Sequence, residues 1–159
     1  VIEDFPVRVI VLDTHVAGRE GGLLDSSRLS WLEARLSEAP RRPTIVFMHH
    51  PPFQTGIEGM DEINCGGAGE LEKIIRKNPQ VERIACGHVH RPIQTRWAGT
   101  AACIAPSTAH QIALDLREHE ELRYVIEPSG FLLHVWRPEM GLVTHTVWVD
   151  DFPGPYSFS

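Results

Sequence analysis

Four histidines stand in two tight groups: His49-His50, followed by Pro51-Pro52, and His88 and His90 on either side of Val89. Imidazole is the commonest protein ligand for transition metals, and it titrates close to neutral pH. Residues two apart in an extended segment project to the same side, so His88 and His90 can offer ring nitrogens to one ion or to two neighbouring ions. Gly87, just before them, lets the backbone turn without a Cβ penalty. Imidazole suits zinc, iron, manganese, cobalt and nickel alike, and no cysteine is placed to narrow that choice.

Each group follows a run that reads as a short strand, Thr44 to Met48 and Val81 to Cys86. The first is almost continuously apolar, as expected of a parallel strand covered on both faces. Between them, Gly69 to Asn78 sets Leu71, Ile74 and Ile75 on one helical face, with acids early, bases late and Pro79 just past the end. The segment is therefore predicted to be a β-α-β unit. Its crossover makes the two strands parallel, so both carboxyl ends open onto one edge of the sheet, where open α/β sheets hold their ligands. An isolated H-x-H is weak as a metal signal; one β-α-β unit after H-H-P-P it becomes strong.

The order strand, H-H-P-P, helix, strand, G-H-x-H resembles the carboxyl-terminal half of a calcineurin-like metallophosphoesterase. Within that superfamily it resembles the class III branch, which acts on cyclic nucleotides and glycerophosphodiesters. Val11-Leu12-Asp13-Thr14, Gly18, Gly21-Gly22-Leu23-Leu24, Trp31-Leu32, Ala105 to Gln111 and Phe152 to Tyr156 extend the likeness over essentially the whole chain. The resemblance implies an α/β fold: the carboxyl-terminal half of an αββα sandwich, a three-strand parallel core followed by an antiparallel β sheet. It also implies two divalent or trivalent transition metal ions (manganese, iron, zinc or cobalt) and a hydroxide bridging them that attacks a small phosphodiester. Carried over by position, His49 and His88 are expected to bind the second metal and His90 the first. His50 is the rival to His49, because strand alternation lets only one of an adjacent pair point into the site. His50 and His110 are the candidate substrate-binding residues, His110 because Ala105-Pro106-Ser107 can loop back toward the site.

The family pattern also includes D-x-H, G-D-x-x-D and G-N-H-D or G-N-H-E, and none of these appears in order here. Charge counting agrees that the histidines do not suffice, since two divalent ions carry four positive charges and three neutral imidazoles cancel none of them. The chain thus reads as a single domain over 1–159 that is a fragment lacking the amino-terminal half, with no catalytic acid or base of its own and inactive in isolation; the alternatives are a non-catalytic folded or oligomerisation module and, among enzymes, a phosphomonoesterase. Asp13-Thr14-His15 has the D-x-H spacing but lies at a strand-to-loop transition after the missing motifs. Asp13 and Thr14 are expected to satisfy loop backbone there, and His15 to be partly exposed. Asp61 and Glu62 are expected to shape the mouth of the pocket.

The chain has 159 residues, 42% of them hydrophobic and 23% charged, enough for one domain with a sizeable core. Its net charge of −6 argues against a nucleic-acid polymer as partner, and no run is long and apolar enough for a membrane span. Cys65, Cys86 and Cys103 form no disulfide pattern, so a reducing, cytoplasmic setting is expected, with Cys86 a core thiol. A first strand is predicted over Val7 to Leu12. A helix is predicted from Asp25 to Glu38, capped by Asp25, stapled by Leu24 and Leu29, and burying Leu29, Leu32 and Leu36. Trp31 falls on its exposed side. Pro92 to Ile104, Gln111 to Leu116, Leu122 to Glu127, Phe131 to Arg137 and Leu142 to Val149 read as antiparallel strands of a second sheet, a surface through which a homo-oligomer would form. His119 is expected to be solvated, and His134 and His145 to be sheet or interface residues.

Overall fold

The computed structural model describes residues 1–158. In chain order the elements are β1 (Arg8–Leu12), β2 (Gly22–Leu23), α1 (Ser26–Glu38), β3 (Thr44–Met48), α2 (Glu58–Asp61), β4 (Cys65–Gly66), α3 (Ala68–Arg76) and β5 (Val81–Cys86). There follow β6 (Ile93–Trp97), β7 (Thr100–Ile104), β8 (Gln111–Ile112), β9 (Tyr124–Val125), β10 (Gly130–Arg137) and β11 (Gly141–Trp148). The central sheet has the order β1-β3-β5-β7-β6, parallel except for the β6–β7 pair. The expected three-strand parallel core is present as β1-β3-β5, and β7 extends it by a fourth parallel strand.

Alternation along the strands divides the core in two. Ile10 and Leu12, Val46 and Met48, Ile84 and Cys86, and Ala102 and Ile104 face one way and pack with Leu32 and Leu36 of α1 and Leu71, Ile74 and Ile75 of α3. Ile45, Ala85 and Cys103 face the other way, with Phe47, and pack against Leu132, Trp136 and Leu142 of the β10–β11 hairpin. Helices cover one side of the sheet and a β hairpin the other, which is the layering expected of this fold class.

Helix α1 starts where the sequence signals it. The Asp25 side chain accepts a hydrogen bond from Arg28 N at 2.9 Å, and Leu24 and Leu29 are both buried, as a staple requires. Trp31 is 41% exposed on the outer side. Arg8 is almost fully buried at the start of β1; its guanidinium bonds Glu3, Glu38 and the Arg35 carbonyl, tying the amino-terminal segment to the end of α1.

Two expectations change. Residues 92–104 form a two-stranded hairpin, and it joins the central sheet rather than a second one. Ala98 and Gly99 make its turn with φ of 52° and 90°, the positive values that a tight two-residue hairpin requires. The later strands do not form one sheet either. β8–β9 and β10–β11 are separate two-stranded ribbons, and β8 and β9 are only two residues each.

Candidate metal centre

The register of the parallel strands decides which residues meet at their carboxyl ends. Leu12 pairs with Met48, and Met48 with Cys86. Two residues further along each chain, Thr14, His50 and His88 therefore lie side by side, and one residue further, His49 stands beside Gly87. The ring centroids of His49 and His88 are 5.1 Å apart, those of His50 and His88 4.5 Å, and those of His49 and His50 4.8 Å. The ligand-capable atoms of these three residues all lie within 4.8 Å of one another. His90 sits beside His110, with ring centroids 5.0 Å apart. The sheet edge thus carries one group of three rings and a neighbouring pair.

Proximity alone puts His50 among the metal-capable groups, but its hydrogen bonds do not leave it open. Nε2 lies 2.9 Å from the Glu20 carbonyl and Nδ1 2.8 Å from Thr14 Oγ1, both inside the protein. The carbonyl can only accept, so Nε2 carries the proton and the Thr14 hydroxyl donates to Nδ1. Neither nitrogen is free for an ion or a substrate oxygen. His50 is 6% exposed and wedged against Gly22, where a Cβ would stand 2.4 Å from His50 Nδ1.

The other rings differ. His49 is exposed, and among the described residues neither of its ring nitrogens carries a hydrogen bond. His88 Nε2 and His90 Nδ1 are buried nitrogens with no hydrogen-bond partner. A buried polar atom without a partner is costly, typically about 1–3 kcal/mol, and a lone pair aimed into a polar rim is what a metal ligand presents. Burial, reinforced by the neighbouring His50 and His49, pushes the His88 imidazole down to about 4, against partial opposition from the Ile63 backbone. His49 is lowered by burial and then by His50 and His90, and His90 by burial and then by His110. All three shifts are downward and favour the neutral ring, the form that binds metal.

The backbone of the H-x-H segment is not extended. β5 ends at Cys86, and His88 and His90 both take left-handed conformations, φ 66° and 51°, with the buried Val89 between them. Each left-handed non-glycine residue costs roughly 1–2 kcal/mol, strain of a kind that collects at functional sites. The chain between the two rings therefore coils and does not alternate as a strand would. Gly87 does not take the positive φ that would need a glycine, and a Cβ there would meet His49 Nδ1 at 3.4 Å, an ordinary contact.

Thr14 is a residue that motif reading passes over. It was expected to satisfy loop backbone, and its hydroxyl does accept from His50 N at 3.5 Å, but it also bonds the His50 imidazole and so orients that ring. The signal was available in the parallel order of β1 and β3, which sets position 14 opposite position 50. Asp13 does bind loop backbone, accepting from His15 N at 2.9 Å, and it pairs with Arg28; His15 is exposed. Asp61 accepts from Thr55 N and Oγ1, Gly56 N and Asn64 Nδ2, which knits the loop between β3 and β4. Among the described residues, the metal-capable cluster contains no carboxylate.

Parallel strands thus bring imidazoles to one rim of a sheet that has helices on one side and a hairpin on the other. The calcineurin-like phosphoesterase family model matches residues 6–92, and the chain belongs to that family. It is 45% identical over 159 residues to a probable glycerophosphodiester phosphodiesterase of Arcobacter nitrofigilis, covering 99% of this chain and 58% of that protein. A glycerophosphodiester phosphodiesterase of Enterobacter lignolyticus is 37% identical over 135 residues, covering 84% of this chain and 48% of its own length. The 3',5'-cyclic adenosine monophosphate phosphodiesterase of Escherichia coli K12 is 36% identical over 104 residues, 65% of this chain and 38% of its own. The chain therefore spans about half the length of the curated relatives it matches. No helix among the described residues is long and apolar enough to cross a membrane.

Proposed function

We propose that this chain supplies the histidine side of a two-metal phosphodiester hydrolase acting on a small diester of the cyclic-nucleotide or glycerophosphodiester class. The observation that carries this reading is the pair of buried, unpartnered nitrogens, His88 Nε2 and His90 Nδ1, at the carboxyl ends of parallel strands. His49 and His88 would hold one ion and His90 would take part in holding the other. Ions bound there would supply a nucleophile at neutral pH and neutralise charge on the phosphoryl oxygens.

The remaining roles belong to the chain itself. Partial desolvation and the neighbouring imidazoles favour the neutral form of the three ligand rings. His50, fixed at both nitrogens, acts as a rigid wall behind His88 and is a positioning residue in this reading, so substrate contact falls to His110 beside His90. Bridging carboxylates, and the acid that protonates the leaving alkoxide, would come from the part of the protein this chain does not span. Residues 1–159 would then be one portion of a larger single domain and inactive when isolated. The three cysteines are free and buried, which suits a reducing, cytoplasmic setting.

The test is hydrolysis of bis(p-nitrophenyl) phosphate by the full-length protein supplied with manganese, iron, zinc or cobalt. His88→Ala and His90→Ala should each abolish metal-dependent turnover. Near-normal rates in both variants refute the ligand assignment.

A further inference from the structure

His110 closes the loop after β7, and its ring joins two neighbours: His90 at 5.0 Å and Tyr124 at 5.1 Å between centroids. The pairing of Gln111 with Val125 and Ile112 with Tyr124 fixes the faces of the β8–β9 hairpin. Position 110 then lies opposite 126, and Tyr124 sits diagonal to His110 on the same face. Gln111 turns the other way and is 2% exposed, its amide bonded to both the N–H and the carbonyl of Ser107. The outward face begins at His110 beside the metal rim and continues through Tyr124, 67% exposed, and Ile126, 82% exposed.

A ribbon with two residues in each strand cannot hold its own shape in water. This one is fixed from outside at both ends. Arg91, the residue after His90, donates from Nη1 to the Ile112 carbonyl at 2.6 Å and to Glu127 Oε2 at 2.8 Å, with its side chain mostly buried. At the tip, Leu122 packs so closely on α2 that a Cβ on Gly59 would stand 2.7 Å from it, and Glu58 accepts a hydrogen bond from His119 N. The exposed aromatic and aliphatic face is thus held in a set position relative to His90, which makes it a preorganised surface rather than a loose loop.

We infer that the β8–β9 hairpin is the subsite for the organic group esterified to the phosphate, and that it favours a planar group, a nucleobase stacked on Tyr124 and flanked by Ile126. This rests on the reading of His90 as a metal ligand. Beside a phosphate at His90, the adjoining rings of His110 and Tyr124 offer its substituent a surface to follow. A purine offers a flat face to the phenol ring, whereas a glycerol group offers none. Loss of one base–aromatic stack lowers affinity by roughly 5- to 150-fold.

The experiment uses metal-loaded full-length protein as wild type, Tyr124→Ala and Tyr124→Phe. Calorimetric binding of adenosine 5'-monophosphate is compared with that of ribose 5-phosphate, and kcat/KM for 3',5'-cyclic adenosine monophosphate with that for glycerophosphoethanolamine. Wild type is expected to bind the nucleotide at least about fivefold more tightly than the sugar phosphate. Tyr124→Ala should erase that preference and lower kcat/KM for the cyclic nucleotide only, and Tyr124→Phe should restore both, because stacking needs the ring and not the hydroxyl. Equal binding of the two ligands by wild type, an equal fall on both substrates in Tyr124→Ala, or failure of Phe to rescue overturns the inference. Tyr124-dependent nucleotide binding without hydrolysis of either diester would instead sink the hydrolase reading and leave the subsite standing.

Discussion

Replacing Thr14 with valine removes one hydroxyl and leaves the shape of the side chain almost unchanged. Thr14 is 2% exposed and His50 6% exposed, so water cannot take the place of the lost donor. The bond from Thr14 Oγ1 to His50 Nδ1 is 2.8 Å long, and His50 Nε2 stays committed to the Glu20 carbonyl, so the ring cannot turn to find another partner. The variant therefore loses a buried hydrogen bond and strands an acceptor. Such a loss costs about 1–3 kcal/mol; the gain from burying a methyl in place of a hydroxyl offsets part of it, for an expected net loss of about 2 kcal/mol. Urea denaturation of metal-free full-length protein measures this directly, and Thr14→Ser, which keeps the hydroxyl and deletes a methyl, should lose only about 1 kcal/mol. In a His50→Leu background the valine substitution should cost clearly less, because the imidazole acceptor is gone and only the long 3.5 Å bond from the N–H of residue 50 to Thr14 Oγ1 is left to lose. A Thr14→Val loss below about 0.5 kcal/mol, or one that persists undiminished in His50→Leu, refutes the claim that Thr14 orients His50.

Three further outcomes follow from the same geometry. Gly22→Ala drives a Cβ into the His50 ring, 2.4 Å from Nδ1, and should destabilise the fold by about 1–3 kcal/mol; a variant as stable as wild type means that His50 is free to move. At His90, whose φ is 51°, glycine should be more stable than alanine by about 1 kcal/mol in chelator-treated protein, the reverse of the order in helices and strands. Thermal melts in which alanine wins contradict the left-handed backbone. The His88 imidazole falls from 6.5 in the unfolded chain to about 4 in the fold, so its contribution is present above pH 6.5 and is lost as pH drops toward 4, where the unfolded state takes the proton first. After discounting for solvent screening at a half-buried ring, the expected loss is roughly 1–2 kcal/mol. Metal-free stability that is flat from pH 7 to 4, or a slope unchanged in His88→Gln, contradicts it.

The parallel core was legible because each of its parts announces itself locally. Thr44 to Met48 is an unbroken apolar run, α3 carries Leu71, Ile74 and Ile75 at helical spacing, and Asp25 sits where an N-cap belongs. Chain connection then forces the histidine groups to one edge. What stayed hidden depends on information that periodicity does not hold. The turn at Ala98-Gly99 puts a non-glycine residue at positive φ, so it lacks the usual Asn-Gly mark and Pro92 to Ile104 read as one strand. Whether a strand joins the first sheet or forms another is set by tertiary pairing, although Ala102, Cys103 and Ile104, all buried, carry the unbroken apolar run of a strand covered on both faces. Between His49 and His50 the sequence preferred the first by resemblance; the physical reason, that Thr14 and the Glu20 carbonyl occupy both nitrogens of His50, needs residues 30 to 36 positions away.

Metal content is the most direct test of the central claim, that His49, His88 and His90 form a cation-binding rim. Elemental analysis of purified full-length protein should find about two transition metal ions per chain in the wild type. His49→Ala, His88→Ala and His90→Ala should each lose at least one, and His50→Ala should lose less than any of them. Equal metal content in the wild type and all three ligand variants would contradict the account.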